Sequence, residues 1–411
     1  MTQLQVEVDP GDAGLDGARL QRLPAYLDRL VAAGRMPGWQ LALARGGRLA
    51  YVGSGGHRHV EQQRPVEGDT LWRVYSMTKP VTSVAAMILA EEGAFELTDP
   101  VSAFVPSFAG VRVHAGGNDL KPFTVPVREP VRIWHLLTHT AGLTYGFHRV
   151  HPSDAALRAA GYEWSFPDGV TLEQAVDLWA SVPLVFEPGT EWNYSLATDV
   201  LGRVVEVAAG MPLDRFVTER ILDPLGMTDT SFGIQDPADA DRLARLYAST
   251  PTGRLVPADA LGAAFTRPAT LLSGGAGLVS SLHDYHRFVQ MLRGGGHLDG
   301  VRVLGPRTVA AMTRNHLPGG ADLETFGRPL FAETPYRGVG FGLGFAVVDD
   351  PVAYKSSASA GEYSWGGAAS TAFWVDPVED VTCVFLTSVF PSSALPVRGM
   401  LRQLVAQAIV G

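Results

Sequence analysis

The sequence predicts an α/β fold of the α+β kind, in which one antiparallel sheet is flanked by helices and carries an inserted, mostly helical domain. Three observations lead to this prediction. The chain of 411 residues has β-hairpin signals near both of its ends, and helical patterns lie outside both hairpins. Its middle alternates helical patterns with loops rich in proline and glycine. Such a sheet buries its faces against layers of helices.

The N-terminal part begins with a helix and continues with two short strands. Apolar residues recur at helical spacing over residues 15–31. Residues 40–44 and 48–52 have the composition of strands, and the turn Arg45-Gly46-Gly47 separates them. These elements predict a helix followed by a hairpin.

The C-terminal part repeats the pattern in reverse order. Residues 340–348 have the composition of a strand, and residues 372–375 and 381–387 flank a turn rich in acidic residues and proline. A helix over residues 396–409 with one apolar face closes the chain. Both ends therefore contribute strands to one sheet.

The middle of the chain predicts helices. Thr171 and Gln174 form a capping-box signature that opens a helix running through Trp179. Further helices are predicted at residues 199–209, which end at Gly210, and at residues 213–221 and 284–292.

These elements divide the chain into two domains. Residues 1–84 and 300–411 form the sheet domain, and residues 85–299 form the inserted helical domain. Since ligand sites favour clefts between such lobes, we expect the active site between the two domains.

Composition excludes several classes of function. The chain has 33 basic and 42 acidic residues, a net charge of −9, which argues against a nucleic-acid partner. Its first residues lack a signal-peptide pattern, and no apolar run reaches the length of a membrane span. We therefore expect a cytoplasmic protein with no membrane partner. The single cysteine, Cys383, lies in a strand pattern and is expected to be inert and buried.

A serine and a lysine stand three residues apart where a strand pattern passes into a helix. The chain has only three lysines, and Lys79 is the only one with a serine, Ser76, three positions before it. Pro80 is tolerated only near a helix start, so residues 76–79 are expected to form the first turn. Residues three apart share a helix face, so the hydroxyl and the amine can meet. A lysine of lowered pKa can then activate the serine as a nucleophile. The alternative is an exposed lysine without a catalytic role.

Three motifs in order resemble the family VIII carboxylesterases, the esterase branch of the class C β-lactamase and DD-peptidase superfamily. They are Ser76-Met77-Thr78-Lys79, Trp192-Asn193-Tyr194-Ser195-Leu196 and Trp365-Gly366-Gly367. The first is the S-x-x-K signature of serine enzymes of this kind. The resemblance runs from about residue 15 to the C-terminus and implies a β-lactamase/transpeptidase-like fold.

The resemblance also implies roles for these residues. Ser76 would attack the ester carbonyl, and Lys79 and Tyr194 would share the role of base, with either holding the charge at rest. The backbone amides of Ser76 and Ala368 would form the oxyanion hole, and Trp365 would line the substrate pocket. Neither a metal nor another cofactor is required.

Departures from the β-lactamase pattern favour simple esters as substrates. Leu196 stands where β-lactamases place an asparagine, and Trp365-Gly366-Gly367 replaces their K-T-G motif. The glycines Gly366 and Gly367 let the backbone approach the substrate closely. The sequence therefore predicts a serine carboxylesterase for short- to medium-chain esters, with a small-molecule ester as its partner.

A metal site at two histidine pairs and three other functions are the alternatives to a serine carboxylesterase. His57 and His59 would need a third ligand to hold a metal, and His135 and His139, four residues apart on a possible helix, lack the glutamate of the H-E-x-x-H zinc motif. Both pairs are interpreted as structural. An acyltransferase or a β-lactam or amide hydrolase would use the same serine. A non-catalytic binding protein of the same fold would have no need of a lysine that can lose its proton.

Overall fold

The computed structural model describes residues 4–118, 121–328 and 336–410. The strands, numbered in chain order, are β1 Gly38–Arg45, β2 Arg48–His59, β3 Arg64–Pro65, β4 Trp72–Arg73, β5 Arg112–Gly117, β6 Pro122–Pro126, β7 Ser231–Phe232, β8 Tyr247–Ser249, β9 Leu255–Pro257, β10 Leu278–Ser280, β11 His297–Leu298, β12 Val301–Arg302, β13 Val339–Phe341, β14 Ala346–Val348, β15 Tyr363–Gly366, β16 Ala372–Asp376, β17 Val381–Thr387 and β18 Val389–Phe390.

The α-helices are α1 Gly17–Leu20, α2 Arg22–Ala32, α3 Thr78–Glu91, α4 Ile133–Leu137, α5 Pro152–Ala159, α6 Leu172–Ser181, α7 Ala197–Ala209, α8 Leu213–Val217, α9 Asp223–Leu225, α10 Asp259–Gly262, α11 Leu282–Arg293, α12 Pro306–Met312, α13 Leu323–Phe326, α14 Pro351–Tyr354 and α15 Arg398–Ala406. Within the described ranges, no helix is both long enough and apolar enough to cross a bilayer.

Both ends of the chain build the main sheet, as the sequence predicts. Its eight strands follow the order β13-β14-β15-β16-β17-β1-β2-β3, and all neighbours pair antiparallel. The N-terminal hairpin meets the C-terminal one at β1 and β17, where Leu43 lies opposite Cys383. The α+β fold class is confirmed.

Side chains alternate between two cores on the two faces of this sheet. Leu41 and Leu43 of β1 pack with the terminal helices α1, α2 and α15, whereas Ala42 and Ala44 face the larger core around the central helices. Because both faces are covered, β1 is buried over almost its whole length.

Helix α11 packs on the sheet face, although it falls in the segment that the sequence assigns to the inserted domain. Its Gln290 donates a hydrogen bond to the Thr382 hydroxyl at 2.7 Å, and the Tyr285 ring lies 5.5 Å from that of Phe373. The division at residues 84 and 299 stays a prediction.

The predicted strand at residues 340–348 is wrong as a single element. The structure has two short strands, β13 and β14, which pair with each other across a turn. Gly344 has a φ of +99°, and a methyl group on Gly342 would lie 2.1 Å from the Met312 carbonyl oxygen. The glycines therefore reverse the chain where the composition alone indicated a continuous strand.

Candidate active site

A cleft of about 210 Å³ lies between the end of β15, the turn before α3 and the segment before α7. The residues predicted to act on the substrate share its lining: Ser76, Tyr194, Leu196, Trp365, Gly366, Gly367 and Ala368. Long-range folding therefore brings the three motifs together, from positions up to 292 residues apart in the sequence.

Ser76 lies in a 3₁₀ turn, Tyr75–Met77, immediately before α3, so the prediction that it belongs to the first α-helical turn is wrong. Pro80 has no N–H to donate to the Ser76 carbonyl, which permits the tighter turn. Tyr75, with a φ of +44°, reverses the backbone just before the serine. The serine therefore lies at the edge of the cleft rather than along the helix.

Lys79 is buried, with 1% of its surface exposed, and its ammonium has three hydrogen-bond acceptors. Its Nζ donates to the Ser76 Oγ at 3.3 Å, to the Tyr145 hydroxyl at 3.0 Å and to the Gly275 carbonyl at 2.8 Å. Three acceptors satisfy the three N–H bonds of an ammonium. The serine and the lysine are thus close enough for proton transfer.

Tyr194 contacts the lysine through its ring. The Lys79 Nζ lies 4.5 Å from the ring centroid, and the Tyr194 hydroxyl accepts a hydrogen bond from the Trp365 Nε1 at 3.3 Å. His148 donates to the Tyr194 carbonyl at 2.8 Å, and Asn193 donates to the Leu143 carbonyl at 2.9 Å. These contacts fix the segment in front of α7.

The turn that carries Ala368 is held by close backbone contacts. Arg398 donates to the carbonyls of Gly367 at 2.8 Å and of Thr371 at 2.9 Å. A methyl group on Gly367 would lie 2.4 Å from the Val74 carbonyl oxygen, two residues before Ser76. The Ala368 turn and the Ser76 turn are therefore packed directly against each other.

Sequence reasoning missed Tyr145, whose hydroxyl is hydrogen-bonded to Lys79. Burial raises the pKa of Tyr145 well above its ordinary value, and electrostatic interactions with Asp199 and Tyr194 raise it further. Tyr145 therefore stays protonated in this environment. Its position two residues after Leu143 belongs to none of the motifs that indicated a catalytic role.

An aromatic wall closes one side of the cleft. We define it as Tyr145, Phe147, Trp164 and Phe390. The Phe147 and Trp164 rings stack at 4.2 Å with an interplanar angle of 7°, and Tyr145 stacks on Phe147 at 4.7 Å. The Trp164 edge meets Phe390 at 5.0 Å. Such a wall binds apolar groups without offering them a charge.

The histidines singled out in the sequence lie in separate surroundings. His135 accepts a hydrogen bond from the Arg132 backbone N–H at the start of α4, whereas His139 lies beyond this helix with a φ of +57°. His57 and His59 belong to β2. In the ranges that the structure describes, no group of three or more histidine, cysteine or acidic residues could hold a metal ion.

Cys383 is buried in β17 and forms no disulfide. Burial raises the pKa of its thiol well above the ordinary value, so the reactive thiolate is disfavoured.

Comparison with protein families gives one match over most of the chain. The family described as Beta-lactamase matches residues 23–407. The chain belongs to the beta-lactamase family. The predicted β-lactamase/transpeptidase-like fold is thereby confirmed.

Relatives of this beta-lactamase-family chain include proteins named as esterases. It is 32% identical over 407 residues to Esterase EstB of Burkholderia gladioli, with 93% of each chain covered. It is 37% identical over 371 residues, 88% of each chain, to Protein Rv1367c of Mycobacterium tuberculosis. A solved structure of EstCE1, described as a hydrolase with promiscuous acyltransferase activity, matches with a TM-score of 0.80 and 30% identity over 96% of this chain and 99% of that chain.

These similarities confirm the predicted resemblance to family VIII carboxylesterases. The chain is a carboxylic ester hydrolase of the beta-lactamase family, an enzyme of ester hydrolysis or acyl transfer.

Proposed function

We propose that the enzyme hydrolyses carboxylic esters with short- to medium-chain acyl groups through an acyl-enzyme on Ser76. The observation that carries this proposal is the contact of 3.3 Å between the Lys79 Nζ and the Oγ of Ser76, a residue of the cleft lining. A serine hydroxyl becomes a strong nucleophile only when a base beside it takes its proton.

The first half of the reaction forms the acyl-enzyme. Lys79 and Tyr194 share the role of base, and the Ser76 Oγ attacks the ester carbonyl as its proton leaves. The backbone amides of Ser76 and Ala368 stabilise the oxyanion. The bond from the carbonyl carbon to the alcohol oxygen then breaks, and Tyr194 returns the proton to this oxygen. The alcohol departs.

The second half releases the acid. A water molecule gives its proton to the same base and attacks the carbonyl carbon of the acyl-enzyme. The bond to the Ser76 Oγ breaks, and the serine recovers its proton. No cofactor takes part in either half.

The lining of the cleft supports esters over β-lactams. Leu196 is buried and apolar where a β-lactamase has an asparagine, and Trp365, Gly366 and Gly367 present no ammonium group to a carboxylate. The two lysines other than Lys79 are exposed and do not line the cleft. We expect slow turnover of β-lactams. A small-molecule ester as partner and a cytoplasmic location stay predictions.

Acyl transfer is the second candidate function. The acyl-enzyme is the same, and an alcohol takes the place of water in the second half. The printed description of EstCE1 and the apolar aromatic wall, which can bind an organic alcohol, both favour it. Added alcohols separate the two functions, because transfer yields a new ester in place of the free acid.

The test is hydrolysis of p-nitrophenyl acetate and butyrate by the wild type and Ser76→Ala, with intact-mass detection of the acyl-enzyme. Ser165→Ala is the matched control, because Ser165 lines the same cleft on its exposed side. We expect the wild type and the control to turn over and to gain the acyl mass, and Ser76→Ala to do neither. Equal activity of all three proteins would contradict the proposed nucleophile.

A further inference from the structure

Asp199 is a fully buried carboxylate next to the proposed catalytic lysine. It is the third residue of α7, none of its surface is exposed, and it lies five residues after Tyr194. Burying a carboxylate costs free energy unless its surroundings compensate for the lost water. An acidic residue at this position therefore requires contacts that stabilise its carboxylate.

Those contacts lead to the loop that holds the lysine. The Asp199 Oδ1 accepts hydrogen bonds from the Gly275 backbone N–H at 3.0 Å and from the Ser273 hydroxyl. The carbonyl of the same Gly275 accepts from the Lys79 Nζ at 2.8 Å. Residue 275 thus joins the carboxylate to the ammonium, its N–H facing one and its C=O facing the other.

The loop that contains Gly274 and Gly275 is packed tightly against its neighbours. A methyl group on Gly275 would lie 2.3 Å from the Asp199 Oδ2, and one on Gly274 would lie 2.7 Å from the Thr198 carbonyl oxygen. On its other side, the Thr82 hydroxyl of α3 donates to the Gly274 carbonyl at 2.8 Å. The loop is therefore clamped between α3 and α7.

We propose that Asp199 is a positioning residue for the Ser76–Lys79 pair, which fixes the Gly275 carbonyl against the ammonium and supplies the negative charge that stabilises it. This inference rests on the proposed function. One oxygen of the carboxylate, Oδ1, fulfils the positioning role. The other, Oδ2, is buried and has no hydrogen-bond donor among the described residues. Its charge is consequently compensated through space rather than by direct contact.

The charges around Asp199 agree with this arrangement. Burial raises the pKa of Asp199, and the attraction of the Lys79 ammonium and the hydrogen bonds from Ser273 and Gly275 oppose the rise without cancelling it. Lys79, from α3, lowers the pKa of Asp199, and Asp199 in turn raises the pKa of Tyr145, which follows α4. Ser273 and Gly275 contribute neutral donors.

Two substitutions separate position from charge. Asp199→Asn keeps an oxygen for the Gly275 N–H but removes the charge, whereas Asp199→Ala removes both. Without the negative charge the ammonium is less favoured, so the base forms at lower pH. We expect the acidic limb of the kcat/KM profile of Asp199→Asn to move down by about one pH unit. We expect Asp199→Ala to lose at least about tenfold in kcat with little change in KM.

Thr82→Val is the matched control, because it removes the hydrogen bond from α3 to the Gly274 carbonyl, on the other side of the same loop, and leaves the Asp199 charge in place. We expect it to keep the wild-type pH profile. Profiles are measured with p-nitrophenyl acetate on proteins whose circular dichroism matches the wild type. If Asp199→Ala does not fold, the isosteric Asp199→Asn decides the question.

The inference is overturned if the Asp199→Asn profile coincides with that of the wild type while intact mass shows acylated Ser76. In that case the proposed function stands and only the role of Asp199 fails. If Ser76 is never acylated, the proposed function fails first and this inference fails with it.

Discussion

Two tyrosines contact the proposed catalytic lysine in different ways. Tyr145 accepts a hydrogen bond from the Lys79 Nζ through its hydroxyl, whereas Tyr194 presents its ring to the ammonium and its hydroxyl to Trp365. The first contact orients the amine. The second leaves the Tyr194 hydroxyl at the cleft, which is the proposed binding site of the ester. Replacing each tyrosine by phenylalanine should therefore lower the reaction rate by a different amount.

We predict that Tyr194→Phe lowers kcat/KM for p-nitrophenyl butyrate by about 100-fold or more, the range of a lost general acid or base. Tyr145→Phe removes one hydrogen bond to a charged group and is expected to cost about tenfold. Tyr162→Phe, at a third tyrosine of the cleft lining, is the control and should stay near the wild type. The reverse order of the first two losses would assign the proton transfer to Tyr145.

The aromatic wall is formed mainly by the segments that connect α-helices and strands, and one of its residues, Phe390, belongs to a strand. Phe147 precedes α5, Trp164 lies between α5 and α6, and Phe390 ends β18. Trp164 has 36% of its surface exposed, yet its ring is fixed by stacking on Phe147 and by the edge contact with Phe390. Under the proposed function, a large ring held in this way forms the boundary of the pocket for the acyl or alcohol group.

We predict that Trp164→Ala raises KM for p-nitrophenyl hexanoate by about tenfold, because one methylene group in an apolar pocket contributes about 1–3 kcal/mol to binding. Acetate, which does not reach the wall, should change little. Phe123→Ala replaces an exposed aromatic residue of β6 outside the cleft and is the matched control. Equal effects on hexanoate and acetate would place the acyl chain elsewhere.

At the scale of the whole molecule, several buried or half-buried histidines are kept in their neutral form. Burial lowers the pKa of His135, His151 and His286 to about 4 in each case. In the unfolded chain these side chains titrate near ~6.5. Between these two values the unfolded state binds more protons than the folded state, so stability falls as the pH decreases.

We predict that the free energy of unfolding decreases from about pH 6.5 to about pH 4, by up to about 1.4 kcal/mol per pH unit for each of the buried residues His135 and His286, and by less for the half-buried His151, whose charge water screens. Urea unfolding at pH 7, 6 and 5 measures this slope. His286→Gln should flatten it, whereas His297→Gln, at an exposed position, should not. An unchanged slope in His286→Gln would show that this histidine does not contribute.

Local signals were sufficient for most of the architecture and for part of the site. Runs with the composition of strands on either side of short turn sequences predicted the hairpins at both ends, because a strand and its turn lie within a few residues of each other. The pairing of Ser76 with Lys79 was likewise predictable, since three residues span about one turn of either helix type. The resemblance of the other two motifs to a known family then identified Tyr194 and Ala368.

Other features depend on contacts between segments that are distant in the chain. Gly275 lies 196 residues after the Lys79 that its carbonyl holds, and Tyr145 reaches the same ammonium across 66 residues. Asp199 had the pattern of an ordinary helix start, and only its burial against Gly275 distinguishes it. No periodicity records such contacts, because they arise where separate elements pack together and each partner alone has an unremarkable local sequence. For this reason the pair of Ser76 and Lys79 could be predicted from the sequence. The residues that position this pair could be recognised only in the tertiary structure, because folding brings them together from distant parts of the chain.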